Sequence, residues 1–576
     1  MASSASAQTL DPLVFVTAQS AFAGCVLDNS ASQAGNLFPN TAIEPWLALD
    51  PSEPTRLLVG VQQDRWSNGG SRGLRGALSD DGGQSWFVTL PSGVSNCTGG
   101  IYPRASDPWV SFGPTGTAYF MSLSLFPTLP SGANGRNAML VNRSTDGAWT
   151  WDAPVTLIED TDPQVLNDKN SITADPTDAS RAYAVWDRLQ DFTIGAGGDG
   201  GAAAAAQGVQ YPEGVADARD RVRQLQAQSR DAEGNAVTAP LQFKGPAYLA
   251  RTTDGGATWE PARPIYDPGP NAQTIGNQMV VLADGTLADF FSEVAPNGTV
   301  RLGLVRSSDK GDTFEATPTY ASLIISNSVI TPNQQQPVRD AGILYDVAVD
   351  RASGALYAVW QDYRFTGVEG VAFSQSLDGG STWSAPVQIN LTPDQANLLR
   401  QQAFVPQVKV AGDGTVVVTH YDFRFGNSAS NAELTDYWAV FCKPASPAAC
   451  ASRSGWGSER RLTDASFDLL NAPVARGHSW ATTWALPRTD RWSRRCSAWR
   501  RRRTKQAWSP AGSPCPAEAR SQRRATERIE PKRRSGRDLP PTASAWPRRV
   551  GSDAGVNRGH RALSAAASPA PRPARS

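Results

Sequence analysis

Long apolar runs are missing from this chain of 576 residues. With no stretch of 18 or more apolar residues, no segment has the length of a membrane-spanning helix. Histidine is nearly missing as well: of three, only His420 lies before residue 477. That excludes a His-based catalytic triad and a multi-His metal site in this region, and neither metal nor cofactor is expected. No phosphate-binding glycine loop occurs, because the Gly-Gly pairs belong to a repeated turn. Met1 to Gln8 lacks the apolar core of a signal peptide, although Ala5-Ser6-Ala7 has the form of a cleavage site. The expectation is a secreted precursor whose true start lies upstream. Cysteine is sparse, six in all. Cys25 and Cys97 sit in long loops, and Cys442 and Cys450 flank a short Pro/Ala loop. Two disulfides and an extracellular or periplasmic location fit this pattern; four free thiols are the alternative.

A net charge is also missing, but only on paper. From Gly477 onward there are 23 basic and 6 acidic residues, which leaves 31 basic and 48 acidic in residues 1–476. The body thus carries −17 and the tail +17. An acidic body argues against nucleic acid as a partner. Any anion site in it has to be a local arginine cluster.

What is present is a repeat. Ser79-Asp80-Asp81-Gly82-Gly83-Gln84-Ser85-Trp86 returns at 144–151, 252–259, 307–314 and 376–383 as Ser/Thr-x-Asp-x-Gly-x-Thr/Ser-aromatic. Only the copy at 144–151 departs, with Ala148 in place of Gly. An Asp that accepts from backbone N–H groups ahead of it, followed by Gly, encodes a folded turn. Around the turns lie pairs of short β-rich runs: Glu44–Asp50 with Arg56–Val61, Asp107–Phe112 with Ala118–Ser122, Asn170–Ala174 with Ala182–Trp186, Gln278–Leu282 with Leu287–Phe291, Tyr345–Val349 with Leu356–Trp360, and Pro406–Val410 with Val416–His420. Six four-stranded units, five of them with the turn motif after the third strand, describe an all-β protein, a β-propeller of six readable blades.

The octapeptide resembles the Asp box of the bacterial sialidase-like, neuraminidase-repeat propellers, and the resemblance covers roughly residues 13–473. It implies a β-propeller with its boxes on the rim away from the active site. It also implies a glycan-directed activity of the exo-acting glycoside hydrolase kind, with arginines that hold a substrate carboxylate and a tyrosine nucleophile paired with Glu. The Arg-Ile-Pro segment of that family has no counterpart; Tyr102-Pro103-Arg104 is a faint analogue.

The domain reading is an N-terminal segment at 1–12, a propeller at 13–476 with an insertion at 191–243, and a basic tail at 477–576. Within the insertion, Gly195 to Ala206 is low-complexity and 212–230 has helical periodicity. The tail has no strand alternation. The codons of His478 to Ala485, read from the third base of His478, can encode Phe-Leu-Gly-Asp-Tyr-x-Gly, which resembles a strand entry of the same family. The tail is therefore expected to be out of frame, with a seventh blade lost and the run Leu13–Thr17 closing the ring.

In a propeller the starts of the inner strands and the ends of the second strands share one face, opposite the octapeptide turns. Strand starts bring Glu44, Asp107, Asp168, Lys169, Asn277 and Asp346 to that mouth. Four units end the second strand on an acid followed by arginine: Asp64-Arg65, Asp187-Arg188, Asp362 with Arg364, and Asp422 with Arg424. Arginine forks suit carboxylates, so Arg65, Arg188, Arg364, Arg424, Asp187, Asp362 and Asp422 are the candidate substrate-binding set. Following the resemblance, Tyr421 and Glu293 are the candidate nucleophile and its partner, with Asp64 or Asp107 as the acid. Structural ion pairs between blades are the competing reading of the same residues. The expected partner is a glycan or glycoconjugate bound by a monomer. The residues do not choose between a hydrolase and a non-catalytic propeller that binds glycan or protein.

Overall fold

The computed structural model describes residues 13–478 apart from Ala18, 128–134, 192–242, Ala341, 444–447 and 475–477. The helical pattern at 212–230, the segment 1–12 and the basic tail beyond 478 lie outside the described residues.

The apolar runs become strands buried on both faces. Ala182, Tyr183, Ala184, Val185 and Trp186 are all fully buried, as are Leu356, Ala358, Val359 and Trp360. Runs this uniform need cover on two sides, and the cover is a neighbouring sheet. Among the described residues five antiparallel sheets result, the first with eight strands that span two blades, and they divide into six four-stranded units. Their inner strands are Leu37–Leu49, Arg104–Phe112, Val165–Ala174, Gln273–Val281, Tyr345–Val349 and Ala403–Val410. Each pairs with a middle strand, at Leu57–Trp66, Ala118–Leu125, Ala182–Asp191, Leu287–Val294, Leu356–Asp362 and Val416–Asp422. A third and a short outer strand complete every unit. The first two units also join at one pair, Ser71 with Ala105.

From the first to the sixth, successive inner strands pack on one another, and all six line one central cavity. The ring closes between the sixth and first blades, where Lys409 Nζ lies 5.0 Å above the Trp46 ring. This is the six-bladed propeller expected from the repeat. The run Leu13–Thr17 corrects one expectation, since it forms no strand and Phe15 is exposed. The outer position of blade six is already filled by Ser458–Arg461 paired with Leu434–Cys442. The first inner strand also begins at Leu37, seven residues before Glu44, because a bulge interrupts its ladder rather than ending it.

The octapeptides fold alike. In each, the first hydroxyl donates to the Asp carboxylate and accepts the N–H four residues on, at 2.8 Å from Gly83 and 2.8 Å from Gly380. The later Ser or Thr hydroxyl donates to the same carboxylate at 2.6 Å in all five copies. Ala148 takes the glycine position with φ of 76°. The closing aromatics staple blades together: Trp259 meets Tyr119, and Trp383 meets Phe290, edge to face. Gly82 N–H donates to Thr55 O in the inner–middle turn, which places turn and octapeptide at the same end. Both expected disulfides are present, Cys25–Cys97 and Cys442–Cys450.

Among the described residues one carboxyl group is buried with neither oxygen paired. Asp289, in the middle strand of blade four, is fully buried and neither carboxyl oxygen has a hydrogen-bond partner. Burial pushes its pKa well above the ordinary carboxylate range. The folded chain therefore keeps a proton that the unfolded chain releases above about pH 4, and stability falls as pH rises between the two pKa values. Asp289→Leu is expected to raise unfolding free energy by about 1–3 kcal/mol. Urea unfolding checks it: the gain should be larger near pH 8 than near pH 4, and an equal or reversed effect contradicts the neutral-acid reading.

Candidate functional site

The same irregularity recurs in five inner strands. The ladders break between Ile43 and Trp46, Ser106 and Trp109, Asp168 and Ser171 (opposite Asp187 and Val185), Ile275 and Gln278, and Phe404 and Gln407. In each bulge the first inserted residue is left-handed: Glu44 at φ 51°, Asp107 at 52°, Lys169 at 48°, Gly276 at 73° and Val405 at 53°. Left-handed backbone is costly for side chains other than glycine and most so for a β-branched one, and bulges serve to re-aim side chains. The second inserted residue is Pro45, Pro108 or Pro406 in three of them, where a missing N–H costs no ladder bond. These bulges bring Glu44, Asp107 and Lys169 together at the mouth end of the axis.

There they form a buried ionic cluster. Lys169 Nζ stands 3.6 Å from Asp107 and lies in the field of Asp168 and Glu44. Ser106 Oγ donates to Asp107 at 2.6 Å. Gln62 amide N–H bridges Glu44 and Ser106, and Arg65 donates to the Gln62 carbonyl at 2.5 Å. Arg339 donates to Glu44 at 3.1 Å. Asp168 and Asp187 sit directly opposite one another across the inner and middle strands of blade three.

The cluster holds acids in two protonation states. Burial pushes Asp168 up to about 7 against the pull of Lys169, with Asp107 and Glu44 adding to the rise. Burial, then the neighbouring Asp168, raises Asp187 well above its usual range. Two facing carboxyls resist ionising together, so the pair titrates as a unit. For Asp107, burial opposes ionisation, but Lys169, the Ser106 hydroxyl, Arg65 and Arg339 hold its pKa below the ordinary value. Around the cluster, Asn170 Oδ1, Asn277 Oδ1 and the Gln407 amide are buried without a protein hydrogen-bond partner.

Sequence reasoning missed Arg339. It rides on segment 324–344, which links blades four and five and runs across the mouth. Asn333 and Gln334 N–H donate to Glu433 of blade six, Gln402 holds Ile330, and Glu369 accepts from Asn327 N–H. Asp340 folds back on the segment by accepting from Val329 N–H at 2.7 Å. Burial pushes Asp340 up to about 6 and Glu369 up to about 9. The length of this linker is the one signal in the sequence that could have marked it.

Other expected site residues have different surroundings. Asp64 accepts from Ser20 Oγ at 2.6 Å and Asn40 N–H at 2.8 Å, tying down the N-terminal segment. Tyr421 is buried among Phe404, Tyr437 and Phe467. Glu293 does bond tyrosine hydroxyls, but those of Tyr266 at 2.6 Å and Tyr320 at 2.8 Å, with Arg301 at 2.5 Å. Tyr421 and Glu293 are thus held by separate sets of neighbours. Arg188 clamps Asp160 of the preceding blade through two bonds, 3.0 and 2.6 Å. Arg364 takes both oxygens of Asp362, at 2.8 and 2.6 Å, and reaches Leu323 O of blade four. Arg424 binds Asp422 at 2.6 Å and Glu459 at 2.5 and 2.9 Å, and lies on Trp438 at 3.6 Å. Among the described residues only Cys25, Asp28 and Cys97 lie close enough to hold a metal, and the two sulfurs are bonded to each other.

No family model and no curated protein matches the chain. Among solved structures it is similar to a Hadza microbial sialidase, with 15% identity over 70% of this chain and 69% of the other and a TM-score of 0.37. It is also similar to a Penicillium chrysogenum α-L-arabinanase, with 12% identity, 68% and 91% coverage and a TM-score of 0.39. For a Fusarium graminearum α-L-arabinofuranosidase the values are 11%, 67%, 90% and 0.38. These likenesses carry no residue of those proteins onto this chain.

The arginine clamps make a stability prediction. Arg424 has 8% of its side chain exposed and serves two acids, so Arg424→Met should cost about 3–5 kcal/mol by stranding buried charge. Lys443, 71% exposed beside Asp413, should cost less than about 0.5 kcal/mol when changed to Met. Denaturant midpoints of the two variants measure the contrast; equal costs contradict it.

Proposed function

We propose that the mouth is a glycan-directed site and that the protein is an exo-acting glycoside hydrolase. The observation that carries this reading is the cross-strand placement of Asp168 opposite Asp187, two acids that burial keeps protonated, beside Asp107, whose pKa Lys169 and Ser106 hold down. Glycoside cleavage asks for that combination, a protonated carboxyl to protonate the leaving oxygen and a carboxylate to meet the developing positive charge on the sugar. The Asp168–Asp187 pair gives its proton to the glycosidic oxygen as the C–O bond breaks. Asp107 stabilises the cationic carbon or attacks it, and water then supplies the hydroxyl of the released sugar. Asn170, Asn277 and Gln407 have unspent hydrogen-bonding capacity for sugar hydroxyls. Arg65 and Arg339 supply positive charge beside the acids.

Because Arg188, Arg364 and Arg424 are paired with acids of the propeller itself, they give no support to a substrate-carboxylate grip, and the second reading is a non-catalytic propeller that binds glycan or protein. Fluorogenic glycosides separate the two. Turnover is expected to drop about 10²–10⁴-fold in Asp168→Asn and in Asp187→Asn, with unfolding midpoints near the parent's. Because the acid works protonated, turnover should fall as pH rises through about 7, the value to which Asp168 is pushed. Undiminished turnover in both variants sinks the assignment; saturable glycan binding with no turnover selects the binding module.

A further inference from the structure

The cations at the mouth are already matched within the protein. Arg188, Arg364 and Arg424 are clamped on Asp160, Asp362, Asp422 and Glu459. Nearer the axis Arg339 holds Glu44, Lys169 stands beside Asp107, and Arg65 donates to the Gln62 carbonyl. Toward the N-terminal segment Arg72 is paired with Asp28. A carboxylate or sulfate entering here has to draw a cation away from its acid, which is then left unpaired. Hydrogen-bonding capacity, by contrast, is open. Asn170 and Asn277 take the second inserted position in the bulges of blades three and four, where the other three bulges have proline. Gln407 follows the blade-six bulge, and Asp346 stands at the start of the blade-five inner strand. All four side chains are nearly fully buried. Part of each of three residues stitches neighbouring inner strands. Asn170 Nδ2 donates to Asp107 O at 2.9 Å, Asn277 O accepts from Ser171 Oγ at 2.8 Å, and Asp346 Oδ2 accepts from Val408 N–H at 2.9 Å. Asn170 Oδ1, Asn277 Oδ1, Asp346 Oδ1 and both ends of the Gln407 amide have no protein hydrogen-bond partner. Buried polar atoms of this kind call for a partner from outside the chain.

We propose that the mouth takes an uncharged sugar, a neutral glycoside whose hydroxyls meet these four oxygens and the Gln407 amide N–H. This rests on the glycan-directed reading of the mouth and narrows it to a substrate class. A hydroxyl both donates and accepts, so it satisfies either kind of atom. At neutral pH a carboxylate or sulfate only accepts. It leaves the four oxygens without donors and sets its own charge against that of Asp346. The sialoside implied by the sequence resemblance therefore falls outside this class. A site that hydrogen-bonds substrate hydroxyls rejects an analogue unable to donate, because its own buried groups then stay unpaired.

Matched 4-methylumbelliferyl glycosides and the full chain test the assignment: glucoside against glucuronide, galactoside against galacturonide, with a xyloside and a sialoside added. Turnover of a neutral member is expected, with kcat/KM at least about a hundredfold above that of its charged counterpart. If neutral members bind saturably in isothermal titration without turnover, tighter than their counterparts by that factor, the assignment holds and the hydrolase reading fails. A charged member bound or turned over within that factor of its neutral counterpart overturns the assignment, and turnover in that case leaves the hydrolase reading intact. No saturable binding of any neutral member overturns both. Gln407→Met then locates the sugar. The amide has no protein hydrogen bond to lose, so the unfolding midpoint should be no lower than the parent's. KM for the best neutral member, or Kd where there is no turnover, should rise about tenfold; an unchanged value overturns the assignment.

Discussion

Six inner strands converge on one axis, each pairing outward with its own middle strand, and apart from the single Ser71–Ala105 pair no inner strand pairs with a strand of the blade before it among the described residues. Every inner strand therefore presents an unpaired edge to the channel, and an unpaired edge must be twisted, covered or loaded with charge. This chain does all three at one level. The bulges at Glu44, Asp107, Lys169, Gly276 and Val405 turn the edges away. The segment 324–344 covers them. Charged side chains fill the space that results. Even a β-branched residue, Val405, accepts left-handed backbone to keep the pattern.

Closing the ring also sets the electrostatics. Glu44, Asp168, Asp187 and Arg339 are each less than one-tenth exposed, so their charges act on one another with little screening. In such a place pKa values move apart according to local company. Burial brings the Arg339 guanidinium down to about 10, still charged at neutral pH. Asp107, next to Lys169, stays ionised, while Asp168, opposite Asp187, does not give up its proton readily. The stacked pair of Trp46 and Trp109 ends this region. Below it, where the ladders run regularly, the same inner strands present mostly valine, isoleucine and alanine, with Lys409 and Arg351 as the charged lining residues.

The fold was legible because its signals are local. Each octapeptide closes on its own hydroxyls and carboxylate, so five copies could be read one at a time. Runs such as Ala182–Trp186 announce cover on both faces. The site was legible only in part. Strand-start position brought Asp107, Asp168 and Lys169 to the right end of the axis, but nothing in the sequence says that Asp168 opposes Asp187, since that follows from a register shift opposite Trp186. Arg339 was invisible for a different reason. It sits 295 residues from the Glu44 it meets, on a linker with no repeat to align it. Tyr421 was placed by analogy of position, and the packing of Phe404, Tyr437 and Phe467 around it is a tertiary fact.

The repeated acid–arginine ends of the middle strands show why repetition is a poor guide to chemistry. Each blade must be fastened to its neighbours, and the same problem at each junction is met with the same pair of residue types. Arg188 with Asp160 and Arg364 with Asp362 and Leu323 O are two such fastenings. A reaction centre has the opposite property. It acts on one bond of one substrate, so it has to break the symmetry of the ring. Lys169 and Arg339 each occur in one blade or linker, and although Asp187 is one of the repeated strand-end acids, only in blade three does a second acid, Asp168, face it. The residues that depart from the repeat, rather than those that compose it, therefore have the better claim to function.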